Sequence, residues 1–284
     1  MHVLISVDME GISGVVMNDH TSSDHKEYER FRQLPYASRP VNGKAEPSAM
    51  TADANAAIEG ALAGGADHIV VNDSHAWMAN ILIEELNPAA ELITGSPKPF
   101  GMMQGIGPAV DVVFFVGYHA ASGTGAAVLE HTWSGRIVEV RLNGQMVGET
   151  GLNAALAGAY GVPIVLVAGD RAVTEEARAL LGEIETVAVK DGVTRTAAQC
   201  LHPQVAQDRI RQAAERALRL DVPPFLVPSP ITLRIAFQRA AHADMAELIP
   251  GSQRVDGRTV EWTGDDMPSV YRVHRAMATL ASAS

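Results

Sequence analysis

Short apolar runs alternate with Ala-rich stretches of helical spacing along most of the chain. Residues 4–7 read as a buried strand, 69–71 as a second and 112–116 as the clearest third. A polar stretch over 18–46, with Pro35, Pro40 and Gly43, reads as a long loop. Residues 47–64 carry a helical pattern that Gly64-Gly65 stops, and a short helix is expected near 79–86. Asn143-Gly144 between the apolar segments 137–142 and 146–147 predicts a hairpin. A small-residue helix follows at 152–160, then a strand at 164–168, a helix at 172–181, a strand at 186–189 and a helix at 204–220. The Pro-rich segment 222–230 is the best linker. Beyond it come a strand at 231–237, a helix at 244–248, a short β segment and a closing helix at 270–280. The alternation predicts an α/β fold with a largely parallel sheet flanked by helices, and a smaller C-terminal α+β portion. The expected domains are 1–221 and 231–284, joined by the linker.

Composition narrows the partners. The 284 residues are 47% hydrophobic but only 5% aromatic, which suits close helix-on-sheet packing. The formal charge of −11, with no long Lys/Arg run, argues against nucleic acid and anionic membrane. A metal ion or the amino terminus of a peptide is a better partner. Cys200 is the single cysteine and has no partner for an internal disulfide. The apolar run at 1–7 is too short for a signal-peptide core, and no stretch is long enough to span a membrane, so a cytoplasmic protein is expected.

The chemistry gathers where the apolar strands stop. The first runs into Asp8-Met9-Glu10-Gly11, the second into Asn72-Asp73-Ser74-His75, the third into Gly117-Tyr118-His119. Ligands of open α/β sheets bind outside the carboxyl ends of the strands. If these strands are neighbours, Asp8, Glu10, His75 and His119 converge on one crevice. Two carboxylates that point the same way repel, so one takes a proton or a cation sits between them. The histidines favour a cation, and mixed imidazole and carboxylate donors suit Zn²⁺, with Mn²⁺ or Co²⁺ as competitors. Singly, each residue has a plainer role: Asp8 as a cap, His75 as a turn residue, Asp73 as a turn former, His119 as a core histidine. Their conjunction at three strand ends carries the signal. Two further candidates lie downstream: His131, after a Gly/Ala-rich loop, and Glu149, which could equally be a helix-start acid stabilised by the macrodipole. No HExxH, Walker A, GxSxG or GxGxxG signature is present.

The order of motifs resembles a known family. Ser6-Val7-Asp8-Met9-Glu10-Gly11-Ile12-Ser13-Gly14, Val71-Asn72-Asp73-Ser74-His75, Lys98-Pro99-Phe100, Gly117-Tyr118-His119-Ala120 and Gly148-Glu149-Thr150-Gly151-Leu152-Asn153-Ala154 are similar to the zinc-dependent D-aminopeptidases associated with dipeptide-transport operons. The likeness runs through roughly the first 170 residues and more loosely to the end. It implies two zinc ions per chain held by Asp8, Glu10, His75, His119 and Glu149, with His131 as a catalytic histidine. It also implies a homo-oligomer, a decamer in that family, and short peptide substrates that include D-amino acids. The reaction implied is metal-assisted removal of the N-terminal residue. Two other classes remain: a metal-dependent phosphoesterase, and a non-catalytic metal- or peptide-binding protein. Phosphate would favour a basic residue at the strand-end motifs, and none is there.

Overall fold

The computed structural model describes residues 1–32 and 48–284. In chain order the elements are β1 (His2–Val7), α1 (Lys26–Arg32), α2 (Ala49–Ala63), β2 (His68–Asp73), β3 (Ala90–Ile93), β4 (Val112–Tyr118), β5 (Ile137–Leu142) and β6 (Gln145–Met146). Then come α3 (Glu149–Ala159), β7 (Ile164–Asp170), α4 (Arg171–Leu181), β8 (Glu185–Thr194), β9 (Ala197–Cys200) and α5 (Pro203–Ala217). The chain closes with β10 (Ile231–Phe237), α6 (Ala240–Ala246), β11 (Gln253–Arg254), β12 (Thr259–Gly264) and α7 (Met267–Ala281). Of the polar stretch 18–46, residues 33–46 lie outside the described residues. The described part holds a 3-10 turn, Asn18–His20, and α1 rather than loop alone.

Seven strands form one sheet in the order β3-β2-β1-β4-β7-β8-β9. All neighbours are parallel except the β8–β9 pair. Both faces are covered, as a parallel sheet requires. Val3, Ile5 and Val7 of β1 pack on one side with Ile58 of α2 and Ile210 of α5. Leu4 faces the other core, which it shares with Phe115, Leu152 of α3 and Leu233 of β10. The second sheet is antiparallel, in the order β11-β12-β10-β5-β6. It is the α+β portion, and it recruits the β5–β6 hairpin from before the Pro-rich segment. Asn143 and Gly144 both take positive φ, 48° and 82°, as the tight hairpin demands.

Caps fix several helix starts. Ser48 accepts from Thr51 N at α2, Asp170 from Val173 N at α4, and Asp266 from Ser269 N at α7. The helix expected at 79–86 does not form beyond a single turn. Its backbone is claimed by neighbours instead: Asp73 accepts from Asn80 N and Ile81 N, Thr51 from Leu82 N, and Asn55 from Asn87 N. The edge strands β3 and β9 are too short and too exposed to show an apolar run.

β1 lies between β2 and β4, with Val7 level with Asp73 on one side and with Val116 on the other. The ends of these strands are drawn together by Asp8 N donating to Val116 O, Gly11 N to Gly117 O and Ser74 N to Val7 O. Gly11 and Gly117 allow this approach. A Cβ on Gly11 would sit 2.0 Å from Tyr118 O, and one on Gly117 would sit 2.1 Å from Asp8 O. Gly11→Ala is therefore expected to lose about 1–3 kcal/mol of stability. Gly107→Ala, which opens into space, should be neutral. Urea unfolding midpoints check both, and equal midpoints would show that the strand ends yield more easily than their packing implies.

Candidate metal centre

Asp8 and Glu10 follow β1, His75 follows β2, His119 follows β4 and Glu149 opens α3. His131 lies in the loop between β4 and β5. All six residues singled out in the sequence meet in one cluster. Five are buried and His131 is partly exposed. His75 Nδ1 lies 3.3 Å from Asp8 Oδ1 and 3.1 Å from Glu10 Oε2. His119 Nε2 lies 3.5 Å from both Asp8 Oδ2 and Glu149 Oε1. His131 Nε2 is 3.7 Å from Glu149 Oε1, and its ring stacks on His119 with centroids 4.1 Å apart.

The second nitrogen of each imidazole is committed to a backbone carbonyl. His75 Nε2 donates to Thr21 O at 3.0 Å, His119 Nδ1 to Ala120 O at 3.0 Å and His131 Nδ1 to Leu129 O at 2.9 Å. Each ring therefore turns its other nitrogen into the cluster, as metal-binding histidines do. His119 Nε2 is buried and has no hydrogen-bond partner among the described residues. Such an orphaned acceptor, ringed by carboxylates, fits a cation. Donor atoms from Asp8, Glu10 and His119 lie within 4.8 Å of one another, and so do those of His119, His131 and Glu149. The residues present fit a metal.

Without a cation, protons must balance the carboxylates. Burial, and then the charge of Glu10, pushes Asp8 up to about 7. Burial pushes Glu10 up too, but the His75 charge and hydrogen bond outweigh it and hold Glu10 well below its usual range. Burial alone would lower His75 and His119; Glu10 and Glu149 respectively raise them well above the ordinary imidazole value. Burial and the His119 charge lower His131.

The surroundings hold this cluster in place. Lys190 of β8 is buried beneath the loop after β1, and its Nζ donates to Glu10 O, Ile12 O and Val15 O at 2.5, 2.9 and 2.5 Å. Asp53 of α2 accepts from Ser13 N and Ser13 Oγ. Ser6, Tyr118, Asn153 and Tyr271 form a buried polar chain under the site. Trp133 N donates to Glu149 Oε1 at 2.6 Å. Four non-glycine residues with positive φ, Ala76, Met78, Leu129 and Trp133, adjoin His75 or His131. Strained backbone of this kind gathers at functional sites.

The cavity measures about 330 Å³. Asp8, Glu10, His75, His131 and Glu149 line it, together with Trp133, Arg275 and Thr279. Asp73 lies outside the ligand cluster and holds the turn at Asn80 and Ile81. No basic residue sits in the strand-end motifs, but the fold brings Arg275 to them from α7. Nothing in the sequence pattern marks Arg275 or Lys190. Trp133 is flagged only by its nearness to His131.

Buried carboxylates and imidazoles at the carboxyl ends of adjacent parallel strands are the arrangement of a metal-dependent α/β hydrolase. The chain belongs to the peptidase M55 family, whose model, described as D-aminopeptidase, matches residues 1–276. It is 36% identical over 284 residues to the D-aminopeptidase of Bacillus subtilis, covering 99% of this chain and 98% of that protein. The solved structure of the Zn-dependent D-aminopeptidase DppA from Bacillus subtilis, described as a self-compartmentalizing protease, matches with a TM-score of 0.92 at 35% identity. That match covers 100% of this chain and 99% of the other. Among the described residues, no helix is long and apolar enough to cross a membrane.

A ligand that binds only the folded state stabilises it by about 2.7 kcal/mol at a hundred times its Kd. Zinc added to metal-free protein should raise the melting temperature by several degrees, and His119→Ala should lose most of that rise. An unchanged rise in the variant would remove His119 from the binding set.

Proposed function

We propose that the chain is a zinc-dependent aminopeptidase that removes the N-terminal residue from short peptides, with D-amino-acid peptides as substrates. The family match supports the activity, and the relative's printed name supports the D configuration. One geometric observation carries the two-metal reading: the two oxygens of Asp8 face different imidazoles. Oδ1 faces His75, beside Glu10, and Oδ2 faces His119, beside Glu149. A carboxylate can bridge two ions, whereas an imidazole nitrogen has a single lone pair to offer. Asp8 would then be shared, with Glu10 and His75 on one side and His119 and Glu149 on the other.

Bound zinc would supply Lewis acidity and an activated water near neutral pH. The protein's own contribution is position and proton handling. His131 is the more exposed imidazole, and with Nδ1–H held by Leu129 O its free Nε2 is the atom that would exchange a proton or donate to a developing oxyanion. The description of the Bacillus relative as self-compartmentalizing supports assembly of this chain with copies of itself, and the family resemblance supports a decamer as its form. Light scattering at working concentration should give an oligomer; a monomer would end that part of the reading.

His131→Ala should keep its zinc content and lose about 10²–10⁴-fold in kcat. Loss of zinc equal to that of His119→Ala would make His131 a ligand instead. With zinc present, D-Ala-D-Ala should be hydrolysed and L-Ala-L-Ala much more slowly. Cleavage of the L-peptide alone would reverse the assigned chirality, and cleavage of neither would remove the peptidase reading.

A further inference from the structure

The cavity at the strand ends is lined by two chemically different sets of side chains. One consists of carboxylates and imidazoles. The other includes Arg275, which comes from α7. This side chain is half-buried, its Nη1 donates to Lys98 O, and its Nε is buried without a hydrogen-bond partner among the described residues. The titratable groups that act on it electrostatically are Tyr271, His274 and Lys98, none of them an anion at neutral pH. No carboxylate forms an ion pair with it among the described residues. Lys98 is not an alternative anion site, because its Nζ turns inward to Asn72 Oδ1 at 2.7 Å and Asp73 O at 2.6 Å. Gly101 leaves room for the guanidinium: a Cβ there would lie 3.1 Å from Arg275 Nε and 3.2 Å from Trp133 Cη2.

A guanidinium that is half-desolvated and has no counter-ion is unfavourable unless an anion arrives from outside. The planar fork of arginine matches a carboxylate with two parallel hydrogen bonds. A peptide with a free carboxyl end brings such a carboxylate into a cavity lined by both the carboxylate–imidazole cluster and this guanidinium. We propose that Arg275 binds the free C-terminal carboxylate of the substrate, so that the site selects short peptides with an unblocked carboxyl end. This rests on the peptidase reading above.

The test compares D-Ala-D-Ala with its C-terminal amide, zinc present, in wild type, Arg275→Gln and Arg275→Lys. Wild type should favour the acid by roughly 10- to 100-fold in kcat/KM, the worth of a hydrogen-bonded ion pair, with most of the difference in KM. Arg275→Gln should bring the acid down to the level of the amide, and Arg275→Lys should recover part of the preference. Zinc content and melting temperature confirm that the variants are folded. The wild-type acid-to-amide ratio needs no variant, so a misfolded substitution does not rescue the idea. Equal cleavage of acid and amide by wild type overturns the proposal and leaves the peptidase reading standing, as does a preference that survives in Arg275→Gln. Cleavage of neither peptide overturns both. Arg275-dependent turnover of p-nitrophenyl phosphate, with peptide cleavage indifferent to the substitution, would show that the guanidinium serves phosphate instead.

Discussion

Three carboxylates are buried within reach of one another at the end of a parallel sheet, and the rest of the structure follows from holding them there. Asp8, Glu10 and Glu149 surround His75, His119 and His131, with little water to screen them. Two like charges 4 Å apart repel by about 4 kcal/mol even at an effective dielectric of 20. Without a metal, this repulsion emerges as displaced protons: Asp8 raised, and His75 and His119 held protonated. A cation removes the conflict by replacing those protons. The arrangement is therefore costly empty and favourable filled, which is how metal affinity comes to be built from folding energy.

Such a cluster must be clamped by groups that do not themselves compete for the metal. The backbone does most of this. Gly11 and Gly117 let the loop after β1 and the end of β4 approach so closely that no side chain fits between them. Lys190 gathers three carbonyls of the Glu10–Val15 loop on one ammonium. Burial lowers its amine to about 8, yet its proton donors have nowhere else to go, so it acts as a fixed brace. Each histidine is oriented by a carbonyl on its outer nitrogen, leaving the inner one free.

Much of this was legible in the sequence, for definable reasons. Strands buried on both faces appear as uninterrupted apolar runs, and the residue where each run stops is where a parallel sheet exposes its ligands. Hence Asp8, His75 and His119 could be placed together before β1, β2 and β4 were known to be neighbours. Asn143-Gly144 marks its hairpin because that turn needs two positive φ angles. The failures were equally physical. The segment at 79–86 has helical spacing, but side chains of α2 and Asp73 capture its backbone donors. Strands β3 and β9 sit at edges and carry too little apolar surface to be seen. Lys190 and Arg275 act across the fold, and a single chain gives no sign of such distant partners.

The antiparallel sheet explains why a metal site assembled by the parallel sheet needs the remainder of the chain. The β5–β6 hairpin pairs through β5 with β10, so the second sheet is tied to chain that immediately follows the His131 loop. α7 packs on that sheet and delivers Arg275, while Tyr271 of the same helix donates to Asn153, which donates to Tyr118 beneath the cluster. The helix that carries Arg275 and the floor beneath the acidic cluster are thus connected by buried hydrogen bonds. A change in the C-terminal unit could alter which peptides fit without touching a ligand. Conversely, the ligand set could stay fixed while α7 varies, because the polar chain fixes the helix through Tyr271 and leaves the exposed face of α7 free of that constraint. The residues proposed for metal binding and the one proposed for substrate choice thus come from different parts of one chain.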